Sequence, residues 1–324
     1  MQIEIFDGHS DLLTELATTY RLTGQVDFQS KYLTTFQQGC MGGSIFVAWA
    51  DNELAIPLAK QIEDIFTVEK MLAEKDNTLW RVETRQDLAS GRAQGKICYL
   101  LGLEGLDGLE EKPQLLTWLR AQGVRHLGLT WNEDNAFAGG ALSKTGQGLT
   151  TRGKHLVQEA EKRYSFLLDV SHLNEASFWD VLKLVQEPLI ASHSNSYTLC
   201  PVPRNLRDEQ LRALASVGGV VGVNSYPPFV DESRTKQNLQ RLADHVEYMV
   251  ELMGIDHVGC GFDYNYWDAD DNKVALPELA HVGESQNLLQ ELQKRGYRQE
   301  DLQKIGSQNF LRVITERLNG EKQP

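Results

Sequence analysis

Eight short apolar runs rich in β-branched residues recur along the chain with amphipathic stretches between them, and no other feature limits the possible folds as strongly. They are IEIFDGH (3–9), GSIFVAW (43–49), KICYLLGLEG (96–105), VRHLGLTWN (124–132), SFLLDVSH (165–172), PLIASHS (188–194), GGVVGVNSY (218–226) and HVGCGFD (257–263). Strand patterns alternating with helix patterns indicate parallel strands joined by helices, and eight strands close such a sheet into a barrel. At 324 residues the chain is long for one domain, yet barrels of this kind reach that length. With no internal repeat and no Pro- or Ser-rich linker, residues 1–324 read as a single (β/α)8 TIM-type barrel domain, an α/β fold.

The stretches between the runs carry the helical period. LAIPLAKQIEDIFTVEKMLAEK, LTTRGKHLVQEAEKR, RDEQLRALASV, QNLQRLADHVEYMVELMG and DLQKIGSQNFLRVITERL place apolar residues three and four apart. Thr150 or Thr151 is positioned to cap the second of these, and Gly254 follows the fourth where a helix stop belongs.

Composition narrows the partners. A formal charge of −13 with no cluster of Lys and Arg argues against nucleic acid and anionic membrane surfaces. Nothing approaches the apolar length of a membrane span, and the N-terminus lacks the basic start and apolar run of a secretory signal, so a cytoplasmic protein is expected. Cys40, Cys98, Cys200 and Cys260 lie far apart in a chain large enough to need no staples, and free thiols are expected.

Polarity within the runs is concentrated at their ends. These carry His9 with Asp11, Glu104, Trp131 with Asn132, His172, His193 and Asp263. The C-terminal strand ends of a barrel converge on one mouth, where active sites sit. In EIFDGHSDLL (4–13), Asp7, His9 and Asp11 alternate, which would place all three on one strand face. Three His and three carboxylates suit zinc or a similar divalent metal, and exceed what one tetrahedral ion takes. Two ions about 3.5–4 Å apart, joined by a bridging carboxylate, are expected, and Glu104, alone on its strand, is the favoured bridge.

Other polar residues carry weaker signals. Asp7 and Asp169 lie deeper than the ends, either orienting a ligand or satisfying barrel backbone. His126, His155, His245 and His257 read as core or surface residues. The stretch after Asp263 is long for a strand-to-helix connection and could roof the mouth, with Tyr264, Tyr266 and Trp267 against a substrate side chain and Asp268, Asp270 and Asp271 favouring a cationic end. DADDN lacks the glycine and closing glutamate of a calcium loop and reads as a solvated turn.

The DGHSD, GLEG, DVSH, SHSN, RN and GCGFD segments, in that order and on those strand ends, resemble the membrane (renal) dipeptidase family of binuclear zinc peptidases. The likeness runs from about Ile3 to about Val313 and includes LTTRGKHL and KIGSQNFLRV. It implies that His9 and Asp11 bind one zinc, that His172 and His193 bind the other, and that Glu104 and a water or hydroxide bridge them. Asp263 would be the carboxylate that moves protons, and Arg204 would hold the free carboxylate of a dipeptide substrate in a bidentate grip. On its own, RNLRDEQ also reads as a loop salt bridge opening the next helix. The family further implies a possible homodimer.

One position departs from the family pattern. Where members carry LTH, with a histidine near the scissile carbonyl, this chain reads LTWN, so Trp131 and its neighbour Asn132 face the substrate side with no imidazole to support a developing oxyanion. Two rival readings follow: hydrolysis of another small amide, such as an N-acyl amino acid or a lactam, or a non-catalytic barrel that binds an amino-acid derivative. Hydrolysis of dipeptides but not N-acyl amino acids decides against the first, and dipeptide turnover that is lost in Asp263→Asn with zinc retained decides against the second.

Overall fold

The computed structural model describes residues 2–264 and 275–318. Nine parallel strands appear: β1 (Ile5–Ser10), β2 (Met41–Ala48), β3 (Leu79–Arg81), β4 (Ile97–Leu103), β5 (Val124–Gly128), β6 (Leu167–Asp169), β7 (Ile190–Ala191), β8 (Val220–Val223) and β9 (Val258–Cys260). Eight of them close a ring. β1 pairs with β2 and β9, β2 pairs with β4, and β4 through β9 follow in sequence order. These eight coincide with the eight apolar runs.

The ninth, β3, is buried only at Leu79, with Trp80 and Arg81 half-buried, so it leaves no continuous apolar run to read in the sequence. Its Trp80 pairs with Cys98, which also pairs with Gly43 of β2, so β3 lies on the β4 edge that β5 takes over from Leu101. It extends one seam of the barrel downward without entering the ring.

The alternation of strand side chains divides the core into two layers. Phe6, Ile45, Leu100, Leu167, Ile190 and Val220 face one another across the barrel and meet Phe310, Val313 and Ile314 of the last helix, Asn309–Leu318, which closes the lower end. Phe310 is 1% exposed, and truncating it to alanine is expected to cost about 3–5 kcal/mol. Ile5, Phe46, Leu101, Leu127, Val221 and Val258 point outward beneath the helices.

The helices start and stop where local chemistry provides. Thr150, rather than Thr151, caps Thr151–Glu159, its hydroxyl accepting from the Gly153 amide. Asn238 likewise caps Leu239–Met253, and Gly254 ends that helix at a φ of 92°, a region costly for a residue with a Cβ. All four cysteines are free, and no helix among the described residues is long and apolar enough to cross a membrane.

Candidate active site

The eight residues singled out at the strand ends come together at the barrel mouth or directly behind it. Glu104 follows the end of β4 and is 9% exposed. Its Oε1 lies 2.8 Å from His172 Nε2 and 3.6 Å from His193 Nε2, while its Oε2 lies 3.6 Å from His9 Nε2. His9 Nε2 also stands 3.8 Å from Asp11 and 3.7 Å from Asp263. Ligand atoms of His9, Glu104 and His193 all fall within 4.8 Å of one another, as do those of His9, Asp11 and Asp263.

Several backbone features aim these groups. Asp11 opens the helix Leu12–Thr23, whose N-terminal dipole favours a negative charge there. His172 and Asp263 adopt left-handed conformations, with φ of 66° and 61°. Each such non-glycine residue costs about 1–3 kcal/mol and persists where its surroundings over-determine it. Gly105, at φ 85°, lets the chain turn sharply after Glu104; a Cβ there would sit 3.0 Å from the Trp131 amide.

The strict alternation expected of Asp7, His9 and Asp11 does not hold, because the pairing of β1 with β2 shifts register between Asp7 and Ser10. Asp7 turns to the backbone instead and accepts the Phe262 amide at 2.9 Å, tying β1 to the end of β9. Burial raises its pKa to about 7 against the pull of that bond.

Two imidazoles have their Nδ1 atoms engaged. Asn132 Oδ1 lies 3.0 Å from Nδ1 of His172, and Ser192 Oγ lies 2.7 Å from Nδ1 of His193. Burial holds both imidazoles far below the ordinary histidine range, with positive charge on Arg204 and His9 adding to the effect. For His9, burial pulls down but Glu104, Asp11 and Asp263 more than offset it, so its pKa rises. Burial likewise raises Glu104, opposed by His9. The carboxylates around His9 therefore favour positive charge there, while His172 and His193 are kept neutral.

The donor set fits a metal ion. His9 Nδ1 and Nε2 and Asp11 Oδ1 are buried without a hydrogen-bond partner among the described residues, and the Nε2 atoms of His172 and His193 approach to 2.8 Å. Unpaired buried acceptors of this kind are costly unless a cation satisfies them. Three imidazoles and three carboxylates are the chemistry of a borderline divalent metal.

Arg204 lies beside this cluster, 5% exposed, with one guanidinium bond to the His193 carbonyl at 3.3 Å and its Nε unpartnered among the described residues. Burial lowers its pKa, opposed by Asp263 and Glu104. The loop ion pair is made by Arg207, to Glu175 at 3.1 Å, which leaves Arg204 free for an anion. A cavity of about 230 Å³ reaches both Arg204 and His172, with Ser194, Tyr197 and Gln210 in its wall. On the opposite side, Trp131 packs on Trp49 at 5.3 Å and on His172 at 6.3 Å, walling a narrow crevice beside Glu104.

Other expectations resolve unevenly. Asp263 accepts from Asn224 Nδ2 at 3.0 Å, and burial raises its pKa against the pull of His9. Asn224 and Ser192 carry no ionisable group, so their only signal in the sequence is their position at or beside strand ends. His126 and Asp169 bond at 3.1 Å in the interior, and His155 and His281 are exposed. Tyr264 does not roof the mouth: it is 3% exposed, and its hydroxyl meets Ser285 Oγ at 2.9 Å. Tyr266, Trp267, Asp268, Asp270 and Asp271 lie outside the described residues.

Comparison with known proteins agrees with this geometry. The profile of the membrane dipeptidase family, peptidase family M19, matches residues 1–323. An uncharacterized dipeptidase of Schizosaccharomyces pombe is 34% identical over 271 residues, covering 82% of this chain and 64% of that protein. The dipeptidase aclJ of Aspergillus oryzae is 28% identical over 336 residues, covering 97% and 78%. The crystal structure of the M19 metallo peptidase dipeptidase AC superposes with a TM-score of 0.86 at 25% identity, covering 98% of this chain and 99% of that one. The chain therefore belongs to the membrane dipeptidase family and is a dipeptidase enzyme of that metallopeptidase type.

Proposed function

We propose that this enzyme hydrolyses dipeptides with two zinc ions bridged by Glu104 and a water or hydroxide. The observation that carries the reading is the division of Glu104, which offers Oε1 to His172 and His193 and Oε2 to His9. A carboxylate facing two sets of ligands is what a shared metal pair requires. His9 and Asp11 would hold one ion, and His172 and His193 the other. When bound, such a pair acidifies water and polarises the peptide carbonyl.

The chain's own residues do the rest. Arg204 grips the substrate's terminal carboxylate with its uncommitted donors, and the adjoining cavity takes the second residue of the dipeptide. Asp263 Oδ1, directed at the metal ligands, accepts a proton from the attacking water and delivers one to the leaving amine. Asn224 holds its other oxygen and so fixes the direction of that transfer. Trp131 replaces a polar substrate contact with an indole wall, which favours an apolar side chain on the first residue. No serine or cysteine nucleophile is required.

The test is release of free amino acids from L,L- and L,D-dipeptides by zinc-loaded protein, alongside N-acyl amino acids. Hydrolysis of dipeptides alone supports the reading. Hydrolysis of N-acyl amino acids alone would replace it.

A further inference from the structure

Beneath the candidate metal ligands a chain of four buried side chains runs from His193 into the barrel wall. His193 Nδ1 lies 2.7 Å from Ser192 Oγ, the Ser192 hydroxyl contacts Asp169 Oδ2, and His126 Nε2 reaches the same oxygen at 3.1 Å. The other oxygen of Asp169 accepts the amides of Ser171 and Ser192 at 2.9 and 3.0 Å. Burial pushes the Asp169 pKa up, but His126 and Ser192 outweigh it and hold the group at about 2, a carboxylate.

The direction of each bond follows from counting hydrogens. A carboxylate only accepts, so His126 Nε2 donates and Ser192 spends its single hydroxyl hydrogen on Asp169. Ser192 Oγ can then only accept from His193, which places the imidazole hydrogen on Nδ1. The Nε2 of His193 is left with its lone pair, facing Glu104 and His172.

We propose that Asp169, acting through Ser192 and braced by His126, locks His193 in the tautomer whose Nε2 can bind a metal. Asp169, Ser192 and His126 are thus positioning residues of the centre, an inference that rests on the reading of His193 as a ligand. The backbone at Ser192 is itself tightly enclosed. Cβ atoms built on Gly8, Gly222 and Gly261 would stand 2.4, 2.1 and 1.9 Å from the Ser192 carbonyl oxygen, so three barrel segments omit side chains where Ser192 passes. His172 has a single neutral amide, Asn132, in the corresponding place. His9 Nδ1 has no partner among the described residues.

Asp169→Asn preserves shape but puts an amide donor where Ser192 or His126 needs an acceptor. Once the Ser192 hydroxyl reverses to donate toward His193 Nδ1, the imidazole hydrogen moves to Nε2. Nitrogen-15 NMR of the metal-free protein is expected to find Nδ1–H on His193 in the wild type and Nε2–H in Asp169→Asn. Zinc affinity, measured by chelator competition, is expected to fall about 10–100-fold, the usual effect of removing an outer partner of a metal ligand. Ser192→Ala should lose a similar amount, and adding Asp169→Asn to it should lose little more, because Asp169 acts through that hydroxyl.

Nε2–H on His193 in the wild type, or additive losses in the double variant, would overturn the proposal. Should Asp169→Asn not fold, Ser192→Ala carries the test alone, and wild-type zinc affinity in it would be equally fatal. The NMR measurement needs no metal, so a wild type with Nδ1–H on His193 that takes up no zinc would sink the metal reading while leaving the tautomer assignment standing.

Discussion

The Nε2 atoms of His172 and His193 stand 2.8 Å apart, while their Nδ1 atoms are occupied by Asn132 and Ser192. Two lone pairs thus converge beside Glu104, an arrangement that is favourable around a cation and repulsive without one. Metal binding is therefore expected to contribute to folding as well as to chemistry. Removing divalent metal with a chelator should abolish dipeptide hydrolysis and lower the melting temperature, with zinc restoring both. At a thousandfold excess over the dissociation constant the linked stabilisation is about 4 kcal/mol, readable by calorimetry as a shift of several degrees.

Asp263→Asn isolates proton transfer from metal binding. Asn224 still has an oxygen to hold, so the side chain should keep its place. The expected result is a fall in kcat of about 10²–10⁴-fold, the usual contribution of a positioned acid or base. Metal content should stay unchanged. A variant with wild-type kcat would remove Asp263 from the chemistry.

Arg204→Ala should act on substrates according to their C-terminus. A hydrogen-bonded charge is worth about 1.5–3 kcal/mol, or roughly 10–150-fold in kcat/KM, for dipeptides with a free carboxylate. C-terminal amides should be affected little. Arg204→Lys should not rescue the loss, because a point charge cannot reproduce the planar fork. Equal losses for acids and amides would indicate a structural role instead.

His245 gives a pH dependence separate from the metal site. Its Nε2 donates to the Val230 carbonyl at 2.8 Å and its Nδ1 accepts the Ser196 amide at 3.2 Å, so only the neutral ring satisfies both. Burial lowers its pKa to about 4, opposed by the Val230 bond. In the unfolded chain the value returns to about 6.5, so between these limits the unfolded state binds the extra proton. This contribution is complete above pH 6.5 and is lost as pH falls toward 4, on the order of 3 kcal/mol in all. Denaturant titrations across that range should have a smaller pH slope for His245→Gln, which can keep both hydrogen bonds.

The barrel was legible because its strands are buried on both faces, so each left a continuous apolar run; β3, outside the ring with Trp80 and Arg81 only half-buried, left none. The six candidate ligand and acid positions were legible because imidazole and carboxylate recur at strand ends where an ordinary rim would vary. Residues that hold them were not. Ser192 and Asn224 carry no charge, and only the directions of their hydrogen bonds give them a role. Asp7 satisfies barrel backbone, one of the two roles its sequence position left open, and the register shift in β1 that accompanies it leaves no trace in the apolar pattern. His126 is the core histidine its sequence position suggested, but its bond to Asp169, 43 residues away, left no signal in the sequence.

Under the proposed function, a pair of zinc ions carries out peptide hydrolysis at this mouth. Titrating metal-free protein with zinc while following release of amino acids from a dipeptide tests it most directly. Activity that reaches its plateau at two zinc ions per chain is the predicted result, and full activity without zinc, or none against any dipeptide at saturating zinc, would contradict it.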